Sequence, residues 1–367
     1  MASVMKGLAA LAAALVLAAP AASARAADEG KNLKVGFVYV SPVGDDGWSY
    51  AHDQGRLAME ALPYVETTFL ENVPEGPDSE RAFLNLARKG YDIIIGTSFG
   101  YMDSMEKVAG QFPKATFMHC SGYKSGPNMT AYFGRMYQAR YLTGMVAGAM
   151  TQKNEIGFVA AFPTPEVIRG INAFTLGARD VNPDARVRVV WTRTWYSPDD
   201  EKKAAESLID VGVDVIAQHQ NSAGPQEAAE ARGIYSVGYN ADMSAAAPHA
   251  HLTAAVWNWT DFYRNFIETV HRGEWSNGNY WYGLDSGLVG IAPFGKMVPQ
   301  DVRDRVNAAQ EDIKAGKEKL MASAQALFAK VYEAGQQGQG GPAPDMGNQS
   351  TGADYGDDVV DGDFKEV

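Results

Sequence analysis

Leu33-Lys34-Val35-Gly36-Phe37-Val38-Tyr39-Val40, followed by Ser41-Pro42-Val43-Gly44-Asp45-Asp46-Gly47-Trp48-Ser49-Tyr50, is the stretch on which the fold turns. The first eight residues are β-branched, aromatic or apolar at nearly every position. Ser-Pro and Gly then break the run into a loop. A strand with one wet face alternates apolar and polar residues. This one does not, which predicts a strand covered on both faces, as in a parallel sheet.

Working outward, the same rhythm repeats. Helical spacing over His52 to Leu62 leads to a strand over Val65 to Leu70. Ser79 then opens a helix to Lys89, and Asp92 to Gly96 is a strand. A helix over Met102 to Phe112 and a strand over Ala115 to His119 complete the series. A second series begins at Ile156. Its strands are Ile156 to Ala161, Val187 to Thr192, Val213 to Gln218 and Ile234 to Gly238. Its helices are Glu166 to Asp180, Asp199 to Val211 and Gln226 to Arg232. Alternating strands and helices predict an α/β protein with two doubly wound parallel-sheet lobes. Met136 to Met150 joins the two series. Leu252 to Val256, Asp261 to Arg272, Leu288 to Ile291 and Asp301 to Ala329 are expected to cross back and complete both lobes. The expected division is 33–153 with 256–280 in the N-terminal lobe, and 154–255 with 281–330 in the C-terminal lobe.

The ends read differently. Lys6, the apolar run Gly7 to Ala19 and Ala24-Arg25-Ala26 form a signal peptide over residues 1–26, whose removal places the chain in a periplasm. No cysteine near the cleavage site offers a lipid anchor. Residues 335–367 begin with a Gly/Gln-rich run and become acidic, the composition of a disordered tail. The 367 residues carry 32 basic against 44 acidic side chains, a net charge of -12. That sign argues against nucleic acid as a partner. The single cysteine, Cys120, rules out an internal disulfide or a multi-cysteine metal site.

Loops leaving the carboxyl ends of parallel strands form the ligand crevice of such folds, and two lobes facing each other make a cleft. Those loops contain Trp48, Phe99 and Tyr101 in the first series, with Phe162, Trp195 and Asn221 in the second. Aromatic rings beside amides and carboxylates suit a flat aromatic ligand. Rings stack on its faces, while Asp45, Asn221 or Asp242 reads its edge. Each ring has an alternative use as an anchor for its own loop.

KVGFVYV, GDDGWSY, GTSFGYMD, GYNADMS and SGLVGIAP together resemble the basic membrane protein family of ABC-importer substrate-binding proteins. FLENVPEG and Phe162-Pro163-Thr164-Pro165-Glu166 resemble an adenine-binding branch. The resemblance implies a type I periplasmic-binding fold with a three-stranded hinge. It also implies closure around a purine, delivery to a membrane permease and action without a cofactor, as a monomer. It places Asp45 and Trp48 at base-reading positions and carries a later Asp onto Asp242. Nucleoside-binding members commonly hold ribose with a Lys before the last strand. Here the segment is Tyr282-Gly283-Leu284-Asp285-Ser286, which favours a free base. A nucleoside or another small aromatic ligand is the alternative.

An enzyme is the less favoured class. Gly96-Thr97-Ser98-Phe99-Gly100 has the form of a nucleophile elbow, but the oxyanion-hole glycine run of an exported serine hydrolase is absent. No phosphate-cradling or zinc-binding motif occurs. His249-Ala250-His251 reads as a surface pair.

Overall fold

The computed structural model describes residues 32–44 and 46–316. The expected signal peptide at 1–26, Asp45 and the expected disordered tail at 335–367 lie outside the described residues.

In chain order the first lobe begins with β1 (Leu33–Val38), α1 (Trp48–Glu60), β2 (Val65–Leu70) and α2 (Pro77–Arg88). It continues with β3 (Ile93–Gly96), α3 (Met102–Ala109), β4 (Thr116–Cys120) and β5 (Met129–Gly134). Then come α4 (Met136–Met150), β6 (Glu155–Ala160), α5 (Pro165–Val181), β7 (Arg186–Trp191) and α6 (Pro198–Asp210). The second series ends with β8 (Val215–His219), α7 (Gly224–Arg232), β9 (Tyr235–Asn240) and β10 (His251–Trp257). The last elements are α8 (Trp259–His271), β11 (Asn279–Tyr282), β12 (Val289–Ile291) and α9 (Gln300–Lys314).

The strands make two six-stranded sheets, in the orders β11-β5-β4-β3-β1-β2 and β12-β10-β9-β8-β6-β7. Every pairing among them is parallel except β10 with β12. β1 lies between β3 and β2, and Val35, Phe37 and Val38 have no exposure. The uninterrupted apolar run therefore has the cause expected of it: both faces of the strand are covered. β3 and β4 are buried throughout for the same reason.

The structure adds what the sequence pattern missed. β5 and β11 pair with each other on the edge of the first sheet. α4 packs along α5 and against β10 and β12, whereas the expected division 33–153 sets Met136–Met150 with the first lobe. α1 starts at Trp48, not His52, because Gly47 stays extended and releases the helix immediately after it. The last helix ends at Lys314 with Ala315 as its C-cap, and residues 317–329 of the expected segment lie outside the described residues. His251 is a correction to the surface reading. It opens β10 with 2% exposure, whereas His249 stays exposed and bonds Glu230 Oε1 at 2.6 Å.

The chain passes between lobes three times: from β5 into α4, from β10 into α8, and from β11 into β12. Backbone bonds lash these crossings. Arg135 N donates to Tyr282 O at 2.6 Å, and Asn258 N donates to Leu288 O at 2.8 Å. Leu284 N donates to Gln138 Oε1 at 2.9 Å. Trp257 and Trp259 flank one crossing and stack on each other, with centroids 4.8 Å apart. Both are buried, so they pack the hinge.

Candidate functional site

The carboxyl ends of both sheets converge on a narrow slot between the lobes. The first lobe lines it with Val40, Trp48, Thr97, Ser98, Phe99 and Ser121. The second lobe contributes Glu166, Trp195, His219, Asn221 and Tyr239.

Each aromatic wall is fixed from behind. Trp48 Nε1 donates to Thr97 O at 2.6 Å, and its ring meets Trp257 edge-on at 5.6 Å. Its polar edge is thus spent inside the protein, leaving only the ring for a ligand. Across the slot, Trp195 leans on Phe162 at 4.9 Å. His219 and Tyr239 are 4.8 Å apart, and the Arg140 guanidinium lies 3.8 Å above the Tyr239 ring. Arg140 Nη1 also donates to Gln218 O at 2.7 Å. Burial, aided by Arg140, pushes His219 down to about 3, so its ring is neutral near neutral pH.

Glu75 joins the two halves. Its Oε1 accepts from Ser98 Oγ at 2.5 Å, Gly100 N at 2.9 Å and Trp195 Nε1 at 3.1 Å. The last bond crosses between lobes. A second crossing contact is steric: Gly47 lies so close to the Asn221 carbonyl that a Cβ there would collide with it. These contacts define a closed arrangement.

Glu166, like His219 with its Nδ1, brings to the slot a buried polar atom without a hydrogen-bond partner. It sits in the first turn of α5, half-buried, and its Oε2 is enclosed without a hydrogen-bond partner. Burial raises its carboxyl to about 7. Arg169 opposes the rise and Glu75 adds to it. Tyr239 is likewise pushed up to about 12, chiefly by burial.

The structure brings together Trp48, Phe99, Trp195 and Asn221 in the slot, with Phe162 behind Trp195. Tyr101 lies elsewhere: it is fully buried and donates from its hydroxyl to Val73 O at 2.5 Å. Asp242 also lies elsewhere. It is exposed, accepts from Ser244 N at 2.9 Å and lines a separate groove beside Trp257 and Trp259. Glu75 and Glu166 were missed. Both lie in the segments that resemble an adenine-binding branch, FLENVPEG and Phe162 to Glu166, Glu75 in the loop after β2 and Glu166 in the first turn of α5. The Ser98 hydroxyl, the nucleophile of the elbow reading, donates to Glu75, while His119 Nε2 donates to the Ser98 carbonyl at 2.9 Å. No histidine therefore accepts the hydroxyl proton.

Residues 32–321 match the family described as ABC transporter substrate-binding protein, PnrA-like. A purine-binding protein of Brucella abortus is 47% identical over 293 residues, covering 79% of this chain and 83% of the relative. A Haloferax volcanii protein named for glucose binding in an ABC transporter is 44% identical, covering 78% of this chain and 73% of the relative. Among solved structures, a solute-binding protein of an Aeropyrum pernix ABC transporter system superposes with a TM-score of 0.70 at 17% identity. It covers 82% of this chain and 98% of that one. The two interleaved sheets and these neighbours make the fold the type I periplasmic-binding fold. Together the slot, the hinge and the match over nearly all described residues lead to one conclusion: the chain belongs to the PnrA-like (basic membrane protein) family of ABC transporter substrate-binding proteins.

Proposed function

We propose that the chain captures a purine, with the free base adenine as its preferred ligand, in the periplasm and delivers it to a membrane permease. The observation that carries this reading is the slot itself. Aromatic rings from both lobes line a narrow space together with Asn221 and Glu166, groups suited to reading the edge of a flat ligand. Stacking supplies affinity and the polar groups supply discrimination. The Brucella relative named for purine binding supports the same class. The absence of a Lys at 282–286 favours a base over a nucleoside.

Closure is the working step. An open cleft takes the ring against one lobe, and the other lobe's contacts are added as the hinge closes. Calorimetric titration of unfolded and refolded protein with adenine, adenosine, guanine, guanosine and glucose tests the reading. Adenine is expected to bind most tightly. A nucleoside preference overturns the base reading, and glucose binding without purine binding overturns the purine class.

A further inference from the structure

Glu166 holds the one carboxyl oxygen that is enclosed, faces a ligand slot and has no partner among the described residues. A buried polar atom left unsatisfied costs free energy, so its natural partner is the ligand. Resting on the purine reading, we propose that Glu166 binds the base as a neutral carboxylic acid: one oxygen donates to a ring nitrogen and the other accepts from the neighbouring N–H. Binding above neutral pH then takes up a proton from solvent.

The chemistry of the edge favours the acid over the carboxylate. Adenine sets a donor beside an acceptor on each hydrogen-bonding edge. A carboxylate only accepts, and would face the ring nitrogen with like polarity. A neutral carboxyl presents one donor and one acceptor side by side, as an amide does.

The surroundings set the balance. Arg169 lies one turn along α5, and the helix N-terminus also favours the charged form. Against them stand burial and Glu75 from the loop after β2. Tyr239 on β9, Cys120 on β4 and neutral His219 at the end of β8 also face the group, and none of the three offers a positive charge; the Arg140 guanidinium of α4 lies over the Tyr239 ring. The carboxyl titrates at about 7, where closure over an uncharged ring tips it to the acid.

Calorimetry with adenine between pH 6.5 and 8.5 tests this, since adenine stays neutral across the window. Affinity scales with the protonated fraction of the free protein and falls on the order of tenfold across it. At pH 8, titration in phosphate and in Tris reads the protons exchanged directly on the wild type, and uptake approaching one proton is expected. Glu166→Gln copies the neutral acid. It is expected to keep adenine binding and to lose both the pH dependence and the proton uptake. Proton release, affinity rising with pH, or a Glu166→Gln variant that folds but does not bind adenine overturns the proposal. Absence of adenine binding in the wild type at every pH, with another ligand bound, overturns the purine reading and this proposal with it.

Discussion

Trp195 Nε1 in the second lobe donates to Glu75 Oε1 in the first at 3.1 Å, so a residue of one wall of the slot is held by a residue of the other. The bond exists only when the lobes meet. Glu75 also receives Ser98 Oγ and Gly100 N, which fix its position in advance. Glu75→Ala removes the latch and both supports. Ligand affinity is expected to fall by about 1–3 kcal/mol, the cost of losing hydrogen bonds to a charged group. The loss belongs mainly in the dissociation rate. Stopped-flow tryptophan fluorescence checks this, and an unchanged dissociation rate removes Glu75 from the closing contacts.

Trp48 and Tyr101 separate a site ring from a core ring. Trp48→Ala is expected to weaken binding by about 1–3 kcal/mol, the range for a lost stacking ring. Tyr101→Phe is expected to leave affinity unchanged and to cost about 1 kcal/mol of stability. It strips the Val73 carbonyl of its donor. Titration calorimetry and urea unfolding on both variants give the comparison.

Gly47→Ala tests closure by sterics alone. Gly47 has an ordinary backbone conformation, so the folded lobe tolerates alanine. The added Cβ meets the Asn221 carbonyl only in the closed arrangement. Affinity is expected to drop by about 1–3 kcal/mol, the scale of an overpacked contact. Small-angle scattering is expected to show less compaction on adding ligand. Full compaction with wild-type affinity contradicts the steric argument.

Stability against pH has two opposed contributions. His119 and His219 are pushed by burial to about 4 and about 3, below the usual value of 6.5. The unfolded chain takes up their protons first, so stability falls as pH drops below 6.5. Glu166 runs the other way. Its folded value of about 7 exceeds the usual 4.5, so its contribution to stability declines as pH rises from 4.5 to 7. Urea unfolding of ligand-free Glu166→Gln is therefore expected to show a gain over wild type at pH 8 that vanishes near pH 4.5. A His219→Gln variant is expected to flatten the acid limb.

The sequence made the lobes legible because β1, β3 and β4 are buried on both faces, and such strands declare themselves as unbroken apolar runs. β5 and β11 were harder. Met129–Gly134 and Asn279–Tyr282 mix polar and aromatic residues; β5 is held by pairing with β4, and β11 by pairing with β5 alone. In the site, Trp48 and Trp195 stood out as large rings beside turns. Tyr101 looked the same, but the short helical turn at Phe99–Tyr101 rotates it into the core against Phe83. Glu166 was hidden because an acid in the first turn of a helix is ordinary, stabilised there by the helix itself. Nothing local shows that its carboxyl enters a cleft, or that Glu75, some ninety residues earlier in the chain, faces it.

The three crossings at β5 to α4, β10 to α8 and β11 to β12 constrain how occupancy becomes visible from outside. One connecting strand lets two bodies swing and twist freely. Three strands drawn from separate parts of the chain and lashed side by side by Arg135, Asn258 and Leu284 suppress twisting and leave a single arc of travel. A transporter that inspects the rim of the cleft then meets one of two outlines, shut or ajar. The hinge converts a graded quantity, the concentration of a small molecule, into the fraction of molecules showing a single mechanical signal.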